Sequence, residues 1–322
     1  MVHDRQRLKE LQALPLERKI MISQARLIEW YNRYKGQVYV SFSGGKDSTV
    51  LLDIARKCFP DIEAVFVNTG LEYPEIQQFV KSFDNVTILR PKMRFDEVIK
   101  KYGYPLISKE VADTLEYVSK GSEWAIKKIN GEKESFNNTK WKPIVGVKFK
   151  ASSRCCTVMK KSPAKNFEKE TNKKPITAIM TEESKLRTTK WLQKGCNAFD
   201  GKRPISNPMS FWTEQDILQY IKRYNLPIAT VYGDIVYEDG KLATTGCKRT
   251  GCIFCAFGCH LESNPNRFQM MKETHPRQYE YCIGGGEFNE QGIWQPSKDG
   301  LGMGYVFDEL NKIYGENFIK YK

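Results

Sequence analysis

The residues best equipped for chemistry in this 322-residue chain form two groups. The first is the run Ser41-Phe42-Ser43-Gly44-Gly45-Lys46-Asp47-Ser48-Thr49. Two adjacent glycines let the main chain approach a phosphate closely and present successive N–H groups to it. Lys46 adds a cation, Asp47 can hold Mg²⁺, and the flanking Ser41, Ser43, Ser48 and Thr49 supply hydroxyls. The spacing is not Gly-x-x-x-x-Gly-Lys-Ser/Thr, so this is a different kind of phosphate loop. The second group is made of thiols. Cys155 and Cys156 are adjacent and flanked by Arg154, Lys160 and Lys161, and such cations favour the thiolate. Further on, Cys247, Cys252, Cys255 and Cys259 lie within thirteen residues, followed by His260. The Cys-x-x-Cys of Cys252 and Cys255 is a strong metal signal.

These groups need elements to position them. The β-branched and aromatic run Gln37–Val40 predicts a buried strand before the loop, and Ser48–Lys57 has helical apolar spacing after it. The helix would turn the positive end of its dipole toward the loop. A Gly-Gly turn between a strand and a helix does not by itself require a ligand. Further buried strands are predicted at Ile62–Val67, Val86–Leu89 and Pro175–Thr181, with a helix from Pro74 to about Phe83. Alternation of strands and helices implies a parallel sheet covered on both faces, with ligands at the carboxyl ends of its strands. Asn68, Thr69 and Gly70 follow the second strand, and Arg187 follows the fourth, so both are expected at that end.

The expected fold class is α/β, a doubly wound, mostly parallel sheet with a smaller Cys-rich C-terminal region. Residues 1–35 read as an amphipathic helical leader packed on the core. Residues 36–235 read as the nucleotide-binding α/β domain, with an insertion or mobile loop at about 120–145, or else an inert surface excursion. Residues 236–322 read as the Cys-rich, metal-binding and helical region, ending in a docking helix from Tyr305 to Ile319. Phe95–Val118 is expected to be mainly helical.

The sequence carries 51 Lys and Arg against 38 Asp and Glu, a net charge of +13, which suits a nucleotide or nucleic acid partner. Its opening residues, Met1–Arg7, are polar and charged, and no apolar run reaches membrane-spanning length. Nine cysteines in that setting predict a reducing cytoplasm and metal or sulfur chemistry rather than disulfides.

Ser-Gly-Gly-Lys-Asp-Ser resembles the pyrophosphate loop of the ATP pyrophosphatase superfamily, whose fold is adenine nucleotide alpha-hydrolase-like. The loop is followed in order by Asn68-Thr69-Gly70, Arg154-Cys155-Cys156, Thr181-Glu182-Glu183-Ser184 with Arg187, and Pro204–Pro208 with Trp212–Ile217. In that order they resemble the phosphoadenosine phosphosulfate reductase family over roughly residues 36 to 260. The resemblance implies an adenine nucleotide bound by Ser41, Ser43, Gly44, Gly45, Lys46, Asp47, Ser48, Thr49, Asn68, Thr69 and Gly70, with Lys46, Asp47 and Arg187 in catalytic roles.

Two metal readings follow. A [4Fe–4S] cluster on Cys155, Cys156, Cys252 and Cys255 matches the iron–sulfur branch of the family and accounts for the adjacent cysteines. A Zn²⁺ knuckle would instead use Cys247, Cys252, Cys255 and either Cys259 or His260. The first is preferred for its soft, paired thiolates.

The chain also departs from the reductases. They typically carry no lysine in the loop, whereas Lys46 suits the β and γ phosphates of ATP. They also use a terminal Glu-Cys-Gly-Leu-His-type motif, which nothing after Cys282 resembles. The expected reaction is therefore ATP- and Mg²⁺-dependent adenylation with pyrophosphate release for sulfur transfer, as in the DNA phosphorothioation enzymes that resemble this family. Sulfonucleotide reduction with release of sulfite is the alternative, and a zinc-knuckle nucleic-acid binder is a third. The partners implied are an adenine nucleotide, a nucleic-acid substrate and a sulfur donor or thioredoxin-like reductant, with no membrane; a homo-oligomer is compatible with this reading.

Overall fold

A computed structural model describes residues 3–132 and 137–322. The contacts gather into two compact units, one of residues 1–68, 72–90 and 163–250, the other of 69–71, 91–162 and 251–322. The units interleave along the chain, whereas the sequence suggested consecutive ranges.

In the first unit the leader is two helices, α1 (Arg5–Gln12) and α2 (Leu16–Arg33). Pro15 caps α2, and its fixed φ of −57° suits a helix start. Leu16, Lys19, Ser23, Leu27 and Trp30 form the buried stripe of α2 at spacings of three and four. Next come β1 (Val38–Ser41), α3 (Lys46–Cys58), β2 (Ala64–Val67), α4 (Pro74–Lys81) and β3 (Val86–Leu89).

The second unit contributes α5 (Phe95–Tyr102), β4 (Leu106–Ile107), α6 (Lys109–Ser119) and α7 (Glu123–Asn130). Gly103, at φ +119° and packed against the Lys150 backbone, ends α5, so the expected helical stretch is broken there by a turn and a short strand. The insertion expected as a mobile loop is instead largely helical: α7 is followed by a 3₁₀ segment, Thr139–Ile144. Residues 133–136 of that insertion lie outside the described residues.

A π-helical turn, Cys156–Lys161, runs directly into α8 (Ser162–Thr171). The first unit then resumes with β5 (Lys174–Ile176), α9 (Lys185–Lys194), β6 (Asn197–Ala198), β7 (Ile205–Ser206) and α10 (Glu214–Tyr224). It ends on the hairpin of β8 (Ile235–Glu238) and β9 (Lys241–Thr244). The second unit closes with β10 (Ala256–Phe257), which pairs in parallel with β4, and with α11 (Arg267–Thr274), α12 (Pro276–Ile283) and α13 (Met303–Tyr314).

The main sheet has the order β3-β2-β1-β5-β7-β6, parallel throughout except for β6, which runs antiparallel to β7. The expected doubly wound, mostly parallel sheet is present. Val38, Tyr39 and Val40 are all buried, as a central strand covered on both faces requires. The order reverses at β1, which pairs with β2 on one side and β5 on the other. The glycine loop therefore leaves the sheet at its switch point, where such sheets bind ligands. The fourth strand is shorter than expected, because 177–180 continue without helix or strand into the 3₁₀ turn Thr181–Glu183. Among the described residues no helix is long and apolar enough to cross a membrane.

Candidate functional site

Ser41 is the last residue of β1, and Gly45 is the N-cap of α3 at φ −75°, ψ 153°. Gly44, at φ +71°, sits where a Cβ would stand 2.7 Å from Val80 Cγ2 and 2.8 Å from Ile76 Cγ2, so only glycine fits the turn. The hydroxyls hold the loop together. Ser48 Oγ donates to Gly45 O (2.9 Å) and accepts from Ser43 N–H (3.1 Å), while Ser43 Oγ lies 3.0 Å from Ser48 Oγ. Thr49 Oγ1 donates to Gly45 O at 3.0 Å. The Lys46 N–H donates to the Tyr232 hydroxyl (3.2 Å), which is 2.6 Å from Thr250 Oγ1.

Lys46 corrects one expectation. A lysine in this loop reads as solvent-facing, yet its side chain is only 4% exposed, donating to Lys248 O (2.7 Å) and paired with Glu214 Oε1 (3.1 Å). Asp47 is only partly buried, but its Oδ1 is sealed from solvent and has no hydrogen-bond partner among the described residues. Burial holds the Asp47 carboxyl above its ordinary pKa and outweighs the opposing pull of Lys46, Arg249 and Arg187; Glu214 pushes in the same direction as burial. Arg187, on α9, is half-buried and ion-paired with Glu183, whose Oε2 lies 3.8 Å from Arg249 Nη1. Cations and one unpartnered carboxylate thus gather at the amino end of α3, suited to a polyphosphate and a divalent cation together.

The sequence reading missed Tyr232, Glu214, Arg249 and Thr250. All lie far along the chain from the loop; Glu214 falls in the Trp212–Ile217 stretch and Arg249 and Thr250 between Cys247 and Cys252, but those motifs gave them no role beside the loop. Asn68 closes β2, its N–H donating to Leu89 O at 2.8 Å, whereas Thr69 and Gly70 cluster with the second unit.

In the second unit Cys155, Cys156, Cys252 and Cys255 line one small apolar cavity of about 20 Å³ with Leu71 and Phe95. The sequence-predicted four are therefore brought together around one space, although among the described residues no three His, Cys, Asp or Glu side chains already converge as a metal site. Cys259 is buried, and burial pushes its thiol up to about 12. Cys247 clusters with the first unit. The hydrogen bond from the Cys155 thiol, with Lys109, Lys160 and Lys161 nearby, draws Cys156 down to about 6 against its burial. The same bond and burial hold Cys155 well above an ordinary thiol. Burial also pushes Cys255 up.

Helix α6 anchors this segment. Glu116 accepts from Ser152 Oγ (2.7 Å) and Arg154 Nε (3.1 Å), and Asp113 accepts from Ser153 Oγ (2.6 Å). Four soft thiol donors around an apolar space, beside lysines that offset thiolate charge, fit an iron–sulfur cluster.

Residues 37–257 match the phosphoadenosine phosphosulfate reductase domain. The chain is 24% identical over 210 residues to an adenosine 5'-phosphosulfate reductase of Geobacillus kaustophilus, covering 62% of this chain and 70% of that one. Two uncharacterized proteins of Methanocaldococcus jannaschii are 39% and 40% identical over 85 and 80 residues, 24% and 23% of this chain, but the match spans only 20% and 17% of their own lengths. The crystal structure of a phosphoadenylyl-sulfate reductase from Candida auris, in a phosphate complex, aligns with a TM-score of 0.39 and 14% identity over 71% of this chain and 91% of that chain. With a family match that covers more than half of its residues, the chain belongs to the phosphoadenosine phosphosulfate reductase family.

Proposed function

We propose that this chain is an ATP-using enzyme of its family, which adenylates an oxygen of its substrate and so prepares it for attack by sulfur. The observation that carries this reading is Asp47: a carboxylate oxygen sealed and unpartnered at the amino end of α3, with Lys46 beside it in the loop. A sulfonucleotide needs neither a divalent cation nor a loop lysine, whereas ATP uses both.

In this reading the substrate oxygen attacks the α phosphorus of ATP, and the bond from that phosphorus to the bridging oxygen of the pyrophosphate breaks. The amides of Gly44 and Gly45 and the dipole of α3 stabilise the phosphate charge. Lys46 and Arg187 neutralise the leaving pyrophosphate, and Arg249 is available for the same task. Asp47 would hold Mg²⁺, which supplies Lewis-acid charge stabilisation when bound. The adenylated oxygen then leaves as AMP when a sulfur nucleophile takes its place. Cys155, Cys156, Cys252 and Cys255 would hold a [4Fe–4S] cluster, which when bound supplies a site where inorganic sulfur can be carried.

The second reading is sulfonucleotide reduction. It is favoured by the similarity to proteins named adenosine 5'-phosphosulfate reductases over 62% to 69% of this chain. In it the same amides and cations bind the sulfonucleotide, and an external thiol reductant supplies the electrons that release sulfite. One experiment separates the two. Anaerobically purified protein is given labelled ATP with candidate nucleic acids, or adenylyl sulfate and its 3′-phosphorylated form with thioredoxin. AMP with pyrophosphate supports the first reading. Sulfite release without ATP turnover overturns it in favour of the second.

A further inference from the structure

The Lys46 side chain has strong partners within the protein. Its ammonium pairs with Glu214 Oε1 at 3.1 Å, donates to Lys248 O at 2.7 Å and stands 5.5 Å from the centre of the Tyr232 ring. Its backbone is tied to the same tyrosine. The lysine is thus satisfied before any phosphate arrives, and a phosphate must compete with a carboxylate for it.

Glu214 is well placed for that contest. It is the first residue of α10, and its own N–H donates to Glu182 Oε2 at 2.7 Å. The helix end behind it is fixed by Thr213, whose N–H and hydroxyl both donate to Asp216 Oδ2. Asp216 in turn pairs with Lys19 of α2 at 2.6 Å, a buried bond that ties the leader to this helix end. The backbone of Glu214 is therefore rigid, but its side chain is 45% exposed. Released from Lys46, the carboxylate can be hydrated where it stands, so the exchange costs little. A buried partner could not let go so cheaply.

We infer that Glu214 is the resident counter-ion of Lys46, a positioning residue that keeps the loop lysine paired and extended until a nucleotide phosphate displaces it. The inference rests on the reading of Lys46 as a phosphate ligand. It makes Glu214 a brake on nucleotide affinity, so removing its charge should tighten binding, the opposite of what a damaged structure would do.

The test is titration of the full chain with Mg²⁺–ATP by calorimetry, for wild type, Glu214→Gln, Lys46→Met and the double variant. Methionine keeps the apolar stem of Lys46 in its buried slot, and thermal melts check that each protein is folded. Glu214→Gln should bind ATP more tightly by up to about fivefold, the range expected when a half-exposed ion pair no longer competes. Lys46→Met should bind more weakly, and Glu214→Gln should then have no effect in the Lys46→Met background. If Glu214→Gln binds equally or less tightly while Lys46→Met weakens binding, the counter-ion role is overturned and the phosphate role of Lys46 stands. A gain from Glu214→Gln that persists in the Lys46→Met background also overturns it, because the carboxylate then acts on the nucleotide directly. Should wild type and Lys46→Met bind ATP equally, or wild type not bind it, both readings fall.

Discussion

Replacing Asp47 by asparagine should make the ligand-free protein more stable and its nucleotide chemistry worse. Asparagine keeps the shape and removes the charge. In the fold the Asp47 carboxyl is held above its ordinary pKa, burial being the largest cause. A raised folded pKa means that this group contributes its full stability below the ordinary carboxylate range and loses it as pH rises through the folded value. At neutral pH the ionised group therefore costs stability. An unmatched buried polar group costs about 1–3 kcal/mol and a charged one more; asparagine keeps the first cost and removes only the excess of the charge, about 1 kcal/mol for a partly buried group. Asp47→Asn should thus gain about 1 kcal/mol, or about 1–2 °C in Tm for a chain of 322 residues. The gain should be largest near neutral pH and shrink as pH falls toward the carboxylate range. With Mg²⁺–ATP at about 100 times its Kd, wild type should gain about 2.7 kcal/mol and overtake the variant. Thermal melts across pH, with and without Mg²⁺–ATP, read both effects. A variant less stable than wild type at neutral pH, or one whose Mg²⁺-dependent stabilisation equals that of wild type, would refute the role given to this carboxylate.

The other predictions concern neighbouring parts of the same two sites. Lys46→Ala should slow ATP-dependent turnover by at least about tenfold, since contacts to ionised groups contribute about 1.5–3 kcal/mol; because Lys46 is buried, a modest fall in Tm should accompany it, and an unchanged rate would exclude the lysine from the reaction. Gly44→Ala should destabilise by about 1–3 kcal/mol through overpacking against Ile76 and Val80, read as a lowered denaturation midpoint, and a neutral result would contradict the turn geometry. Anaerobically purified protein should contain iron and acid-labile sulfide; Cys156→Ser and Cys252→Ser should lose them and Cys58→Ser keep them, while stoichiometric zinc would count against the cluster. Glu116→Ala should lower Tm by removing the acceptor of Ser152 and Arg154, at a cost of about 1–3 kcal/mol, and should also lower iron content by loosening the Cys155–Cys156 segment. Glu116→Gln should recover much of both, and full iron content in Glu116→Ala would show that the anchor does not matter to the thiols.

The sequence by itself determined the local parts of this protein. Adjacent glycines between a buried β-branched run and a helical one can form little other than a strand, a tight turn and a helix, and the positive φ of Gly44 is the physical reason for its residue type. The parallel sheet was equally legible, because strands buried on both faces read as continuous apolar runs. The four thiols that line one cavity were singled out together across about one hundred residues, on chemical type and family resemblance. Short strands such as β6 and β7 were not legible, since two residues carry no period, and their existence depends on the sheet edge beside them. The helical insertion was missed because α7 is only eight residues long, and its inward pair Ala125 and Ile129 is blurred by the exposed apolar Trp124 and Ile126 and the buried Lys128. The interleaving of the two units, the burial of Lys46, and the arrival of Glu214, Tyr232 and Arg249 around Asp47 were decided only by tertiary structure. Those residues meet through long-range register, and no local spacing encodes which distant side chain will stand opposite a given atom.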